Sequence, residues 1–142
     1  MEIKYLNQED FEIDTKPFSR YLKKLEKETA LQKGLINVVF VNDKYIRALN
    51  KAYRGRDEAT DVLSFPYYEG ELVGEVYLSV ETAKRQAKDH RHDLSDELIK
   101  LLIHGVLHIH GFDHEEDGDY QKMYAVERAV LGQIAGEFMM ES

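Results

Sequence analysis

Apolar positions along the chain follow two different periods, and these predict strands in the first half and mostly helices in the second. Four segments have the β-branched or alternating apolar character that is typical of strands, at 3–6, 35–41, 62–65 and 74–79. The third is expected to stop at Pro66, which has no backbone N–H for a ladder. A hairpin through residues 67–73 is one way to join it to the fourth.

Apolar residues at helical spacing predict about five helices. Their expected ranges are 17–30, 43–53, 80–91, 94–109 and 119–138. The candidate N-caps are Thr15 for the first, Asn42 or Asp43 for the second, and Asp93 or Ser95 for the fourth. Strands come early and most helices late, with the helices at 17–30 and 43–53 inserted among the strands, so we expect an α+β fold. We expect a single domain over residues 1–142, with a small mixed sheet of about four strands.

Composition narrows the class of protein. The 142 residues are 43% hydrophobic and 32% charged, as in a globular protein with a real core. No apolar run reaches the roughly 18 residues that cross a membrane, and the N-terminus has no secretory pattern. There is no cysteine, which removes disulfide partners and thiolate zinc sites and fits a cytoplasmic location. The net charge of −8 argues against unselective nucleic-acid binding but leaves room for a local basic groove.

The segment HGVLHIHGFDH, residues 104–114, carries three histidines at H-x3-H-x5-H spacing. Four residues apart on a helix, His104 and His108 lie on one face and can share a metal ion. Gly111 lets the chain leave the helix and return His114 as a third ligand. Three imidazoles leave one coordination position open for water or substrate, so we predict a catalytic metal site on a buried helix and the turn after it. The competing interpretation is a chance cluster of histidines near a helix end.

This spacing matches the metzincin protease pattern at every histidine and at the glycine. The glutamate that acts there as general base is replaced by Gly105. The residues therefore favour a hydrolytic metal site and disfavour an ordinary protease.

A second informative segment is YRGRDEATDVLSFP, residues 53–66. Arg54 and Arg56 flank a glycine, and the planar guanidinium fork suits a phosphate. The alternative is that each arginine pairs with a nearby carboxylate, namely Asp57, Glu58 or Asp61. Asp61 itself is interpreted as structural.

The third predicted helix carries Lys84, Lys88 and Arg91 at i, i+4, i+7 spacing. Such a basic stripe is either a solvated face or a groove wall that follows a phosphate backbone. Histidines 90, 92 and 110 do not fit the ligand spacing, and we interpret them as surface groups or as groups that support the ligands.

Three segments together resemble the YbeY family of bacterial endoribonucleases: the histidine segment 104–114, the arginine segment 53–66, and SVETAKRQA, residues 79–87. The three blocks occur in the family's order, and the resemblance covers about residues 35 to 135. The chain departs from the family's pattern at Ala59, where proline is typical, and at Glu75, where aspartate is frequent. Neither change touches the predicted metal site.

The resemblance implies a small α+β fold and a metal, usually zinc, held by His104, His108 and His114. Other divalent transition metals could occupy three imidazoles. It also implies a single-strand-specific endoribonuclease that matures ribosomal RNA, notably at the 3′ end of 16S RNA, and acts in ribosome quality control. Expected partners are therefore single-stranded RNA, ribosomal RNA and the ribosome or small-subunit proteins. Arg54 falls on the family's functionally important arginine.

We hypothesise that RNA lies between the basic helix and the Arg54 loop, where Arg54 stabilises a phosphorane. Candidate RNA-binding residues are Arg56, Lys84, Arg85, Lys88 and Arg91. The proton acceptor is left open between Asp113 or Glu115 and attack by the RNA's own 2′-oxygen. Asp113 alternatively orients a ligand histidine. Two rival functions stay open: a metal-dependent hydrolase of another substrate, and a ribosome-assembly binding factor with a structural metal.

Overall fold

A computed structural model describes residues 1–112, 117–132 and 134, and for residues 117–120 it describes the backbone alone. The described residues form four strands and five helices, which confirms the α+β prediction. The strands are β1 (Glu2–Asn7), β2 (Leu35–Val41), β3 (Val62–Glu69) and β4 (Leu72–Ser79). The helices are α1 (Lys16–Glu28), α2 (Asp43–Arg54), α3 (Val80–Asp89), α4 (Leu94–Ile109) and α5 (Asp117–Leu131).

The sheet is mixed, with strand order β1-β2-β4-β3. β2 is parallel to both of its neighbours, while β3 and β4 pair antiparallel as a hairpin. Successive β2 residues point to opposite faces, and both faces are covered: Ile36 and Val38 join the main core, while Val39 and Val41 join a smaller one. Helices α1, α4 and α5 contribute to the main core, and α2 to the smaller one.

Helices α1, α2 and α4 each start at a predicted N-cap, and in two of the three the side chain makes the capping hydrogen bond. The Asn42 side chain accepts a hydrogen bond from the Tyr45 N–H at 2.8 Å, and Asp93 accepts one from the Asp96 N–H at 2.8 Å. Thr15 is the N-cap of α1, as predicted, but its side chain makes no capping hydrogen bond. Pro17 lies in the first turn, where its missing N–H would be unsatisfied in any case, and it also favours a helix start here.

The prediction that the third strand stops at Pro66 is wrong. β3 continues through it to Glu69, with Pro66 opposite Gly74 on β4. β3 is an edge strand, so a proline there can turn its missing N–H outward without removing a bond of the ladder.

The predicted basic stripe on the third helix is shorter than expected. α3 ends at Asp89, His90 is its C-cap, and Arg91 has a left-handed backbone with φ of 58°. Arg91 therefore does not extend the Lys84–Lys88 face. No helix in the described ranges is long and apolar enough to cross a bilayer.

Candidate active site

Helix α4 positions the two described histidines of the predicted metal centre. Nearly every residue from Glu97 to Ile109 is buried, so the helix is a rigid mount. The hydroxyl of Tyr68, on the β3–β4 hairpin, donates to the Ile109 carbonyl oxygen and ties the end of α4 to the sheet. Gly111 then has φ of +92°, which confirms that a glycine conformation ends this segment.

The rings of His104 and His108 converge on one point. Their Nε2 atoms lie 2.9 Å apart. The Nδ1 of His104 lies 3.1 Å from Oε1 of Glu127, a carboxylate on α5 that is only 2% exposed. A carboxylate at Nδ1 holds the proton there and leaves the Nε2 lone pair directed at the shared point. Two neutral imidazoles so arranged fit a zinc-like cation.

The remaining members of the predicted centre cannot be placed. His114, Asp113 and Glu115 lie outside the described residues. His114 as third ligand therefore stays a prediction, as do the roles considered for Asp113 and Glu115.

His104 and His108 open onto a cavity of about 550 Å³. Arg54, an exposed residue at the end of α2, lines the same cavity. Within the described ranges no carboxylate pairs with Arg54, and Asp57 binds Arg47 at 2.8 Å instead. The guanidinium is therefore available to an anion in the cavity. The other lining residues are Tyr53, Thr60, Asp61, Val62, Leu63, Ser64 and Phe65.

Asp61 is the carboxylate among these lining residues, and it is held by its neighbours. Its Oδ1 accepts from the Val62 N–H at 2.8 Å, and its Oδ2 accepts from the Gln86 amide at 3.2 Å. This agrees with the structural role expected for it and leaves it poorly suited to take a proton from substrate.

Gly105 explains why a protease-like glutamate is missing between the histidines. A Cβ at this position would lie 2.8 Å from a methyl of Val76 and 2.9 Å from the Ser64 hydroxyl. Contacts this short require something to shift, so a glycine is needed where α4 presses against the sheet. A glutamate at position 105 would enter this packed layer.

Another histidine cluster, here called the Glu97 cluster, lies near the other end of α4. His90, His92 and Glu97 each offer one potential metal-ligand atom, and these atoms lie within 4.8 Å of one another. The Glu97 Oε1 lies 2.7 Å from His90 Nδ1, 2.5 Å from His92 Nε2 and 3.3 Å from Lys100 Nζ. His90 and His92 are not surface groups, since their side chains are 12% and 8% exposed, while the other interpretation, that they support the ligands, stays a prediction.

Charge compensation in the Glu97 cluster comes from the protein itself. Burial alone would raise the pKa of Glu97, but hydrogen bonds from His90 and His92 and the charge of Lys100 hold that pKa below its ordinary value. Lys100, 1% exposed, places its Nζ 3.3 Å from Glu97 Oε1 and 3.0 Å from His90 Nδ1, two of the potential ligand atoms. The ligand types are those of a metal site, and the lysine already supplies the positive charge.

The predicted RNA-binding residues do not line the cavity. Arg56, Lys84, Lys88 and Arg91 are exposed, and they stay predictions. Arg85 contacts Asp43 at 2.9 Å, in a network that also includes Ser79 and Thr82. His110 is the C-cap of α4.

Comparison with known proteins gives a consistent result. A family model described as Endoribonuclease YbeY matches residues 3–135. The Endoribonuclease YbeY of Pelotomaculum thermopropionicum is 42% identical over 108 residues, which cover 70% of this chain and 71% of that protein. The Endoribonuclease YbeY of Acholeplasma laidlawii is 35% identical over 133 residues, which cover 92% of this chain and 95% of that protein.

A solved structure is similar over almost the whole chain. The solution structure of a Thermotoga maritima protein superimposes with a TM-score of 0.67 at 29% sequence identity, covering 98% of this chain and 93% of that one. The similarity therefore includes the N-terminal strand and helix, which lie outside residues 35 to 135, the part of the chain that carries the sequence resemblance.

Proposed function

The chain belongs to the YbeY endoribonuclease family, and from that premise we propose that it cleaves single-stranded RNA in a metal-dependent reaction. It hydrolyses phosphodiester bonds of ribosomal RNA during processing. Within that role we assign it to maturation of the 3′ end of 16S RNA and to ribosome quality control.

One observation carries this proposal: Arg54 and the convergent pair His104 and His108 line the same cavity. A cation site beside an arginine without a protein partner in the described ranges is the arrangement that a phosphodiester needs. The Glu97 cluster has no such neighbour among the described cavity-lining residues.

We assign the metal to His104, His108 and His114, and zinc is the ion that three imidazoles suit best. When bound, the ion supplies Lewis-acid chemistry and lowers the pKa of a coordinated water. The Glu127 carboxylate keeps the His104 proton on Nδ1, so the ring can serve as a neutral ligand.

Arg54 acts on the phosphate. Its guanidinium can donate to two phosphate oxygens and stabilise the charge that grows on them in the transition state. Asp61 is held by Val62 and Gln86, and Gly105 carries no base. Two routes stay open: attack by water, with Asp113 or Glu115 as proton acceptor, and attack by the RNA's own 2′-oxygen, whose proton passes to the same kind of acceptor. The chemistry of the cleaved ends separates these routes, because only the second leaves a cyclic phosphate.

The partners follow from the substrate. Arg56, Lys84, Arg85, Lys88 and Arg91 are proposed to contact the RNA backbone outside the cavity, and small-subunit proteins are the proposed docking partners. A cytoplasmic location follows from action on ribosomal RNA.

The test compares Arg54→Ala with Arg47→Ala, a matched exposed arginine on the same helix that pairs with Asp57 and lies outside the cavity. We expect Arg54→Ala to lower the rate of single-stranded RNA cleavage by about 100- to 1,000-fold, with melting temperature and metal content unchanged. We expect Arg47→Ala to cleave at nearly the wild-type rate.

Equal rates for Arg54→Ala and wild type would contradict the proposal. A protein that binds ribosomal subunits without cleaving any RNA would favour the assembly-factor alternative. Equal cleavage of a duplex of the same sequence would remove the single-strand assignment.

A further inference from the structure

A row of aromatic rings lies on the α2 side of the sheet and ends at the cavity. Tyr45 stacks on Tyr77 with ring centroids 6.3 Å apart. Tyr77 meets Phe65 edge-on at 5.7 Å, and Phe65 meets Tyr53 edge-on at 5.2 Å. Of these four residues, Phe65 and Tyr53 line the cavity that also contains Arg54, His104 and His108.

Tyr53 is unusually open for an aromatic residue in a fixed position. It is 69% exposed, the highest value among the exposed large hydrophobic residues of the described chain, against 39% for Tyr45. The edge-on contact with Phe65 supports one side of the ring and leaves most of its surface to solvent. An exposed aromatic side chain beside a polar cavity is a surface suited to a flat apolar ligand.

The next residue in the chain supplies the complementary chemistry. Arg54 follows Tyr53 in the last turn of α2, and both side chains line the cavity. One residue thus offers an aromatic face and its neighbour offers a cation. A nucleotide presents the matching pair, a planar base and an anionic phosphate, at a similarly short separation.

We propose that Tyr53, supported by Phe65, is a stacking subsite for one unpaired nucleobase next to the phosphate that Arg54 binds. This inference rests on the proposed ribonuclease function and assigns part of its substrate recognition. A base within a duplex has both faces covered by its neighbours, so only a splayed, single-stranded base can stack on the Tyr53 ring. Stacking is sequence-tolerant because every base has a π-face.

The experiment uses three variants of the metal-loaded enzyme: Tyr53→Leu, Tyr53→Phe and, as a control from the far end of the aromatic row, Tyr45→Leu. Cleavage of a single-stranded RNA is measured as KM and kcat. The same RNA is then used with a single abasic nucleotide placed in turn at each position around the cleavage point. Melting temperatures confirm folding, which these exposed substitutions are expected to preserve.

We expect Tyr53→Leu to raise KM by on the order of tenfold, while Tyr53→Phe and Tyr45→Leu stay near wild type. We expect one abasic position to raise the KM of wild type by a similar factor. At that position Tyr53→Leu should lose nothing more, because the stacking partner is already gone.

Three results would overturn the inference. If Tyr53→Leu keeps the wild-type KM while the enzyme cleaves RNA, the ring is not a subsite, and the proposed function stands. If Tyr53→Phe fails as badly as Tyr53→Leu, the hydroxyl and not the ring face is used. If wild type cleaves no RNA, the proposed function fails and the subsite fails with it.

Discussion

Helix α4 carries a histidine cluster near each end, and the two clusters differ in what surrounds them. The first joins Glu97 and Lys100 of the helix to His90 and His92. The second pairs His104 with His108. Both have the side-chain types that bind metals, yet the first is closed by its own lysine and the second faces a cavity with Arg54.

Under the proposed assignment, ligand types and mutual distance alone do not define a catalytic metal site. Glu97 and Lys100 are 0% and 1% exposed, so the charges of the first cluster compensate one another in the interior. In the second, Glu127 holds the far nitrogen of His104 and leaves the near one directed at the cavity. We therefore interpret the first cluster as a structural link between the α3–α4 turn and the core.

The largest expected effect is on stability and comes from Glu97→Ala. Removing this carboxylate breaks its buried ion pair with the Lys100 ammonium, so we expect the free energy of unfolding to fall by about 3–5 kcal/mol. Metal content at neutral pH should stay at the wild-type level. Denaturant unfolding and elemental analysis measure the two quantities.

A matched double variant, Glu97→Leu with Lys100→Met, separates charge from packing. It removes both buried charges and should recover much of the lost stability. If Glu97→Ala instead abolishes metal binding while His104 and His108 keep their geometry, the metal site is the cluster around Glu97 and not the one at His104 and His108.

A smaller effect is expected from Glu127→Ala, which acts on the second cluster. Without the carboxylate, the His104 ring loses the partner that fixes its proton and orientation. We expect metal affinity to fall by about 10- to 100-fold, as measured by competition with a chromophoric chelator. Glu127→Gln, which still accepts a hydrogen bond from Nδ1, should lose less. Unchanged metal affinity in Glu127→Ala would mean that the carboxylate packs against His104 without orienting it for metal binding.

The smallest expected effect is the pH dependence of stability. Because the pKa of Glu97 is lowered in the folded protein from its ordinary 4.5, its contribution is complete above that value. That contribution is lost as the pH falls through the lower folded-state pKa. Glu97→Gln should flatten the acid limb of a plot of unfolding free energy against pH. An acid limb of unchanged slope would show that Glu97 is not held ionised in the fold.

Local signals in the sequence predicted most of the fold. The apolar run of β2 was predicted at its observed bounds, Leu35–Val41. The Asn42 cap was predicted with Asp43 as the alternative, and the Asp93 cap with Ser95 as the alternative, from neighbouring residues alone. The error at Pro66 has a long-range cause, because the tolerance for proline depends on β3 being an edge strand. Strand order is not visible within a short segment.

The candidate site shows the same division between features that local sequence predicts and features that depend on long-range packing. The spacing of His104 and His108 was enough to place them on one face of a buried helix. Glu127 was missed because it lies 23 residues from His104 and meets it only when α5 packs on α4. The cluster around Glu97 was missed likewise, since the left-handed turn at Arg91 is part of the connection that brings His90 and His92 to the helix.

Metal binding by two single variants tests the central claim most directly. His108→Ala and His92→Ala each remove one imidazole, one from each cluster, and zinc is titrated into chelator-treated protein by calorimetry. We predict that His108→Ala loses high-affinity zinc binding and RNA cleavage, while His92→Ala keeps one zinc per chain at wild-type affinity. Loss of zinc in His92→Ala with retention in His108→Ala would contradict the account.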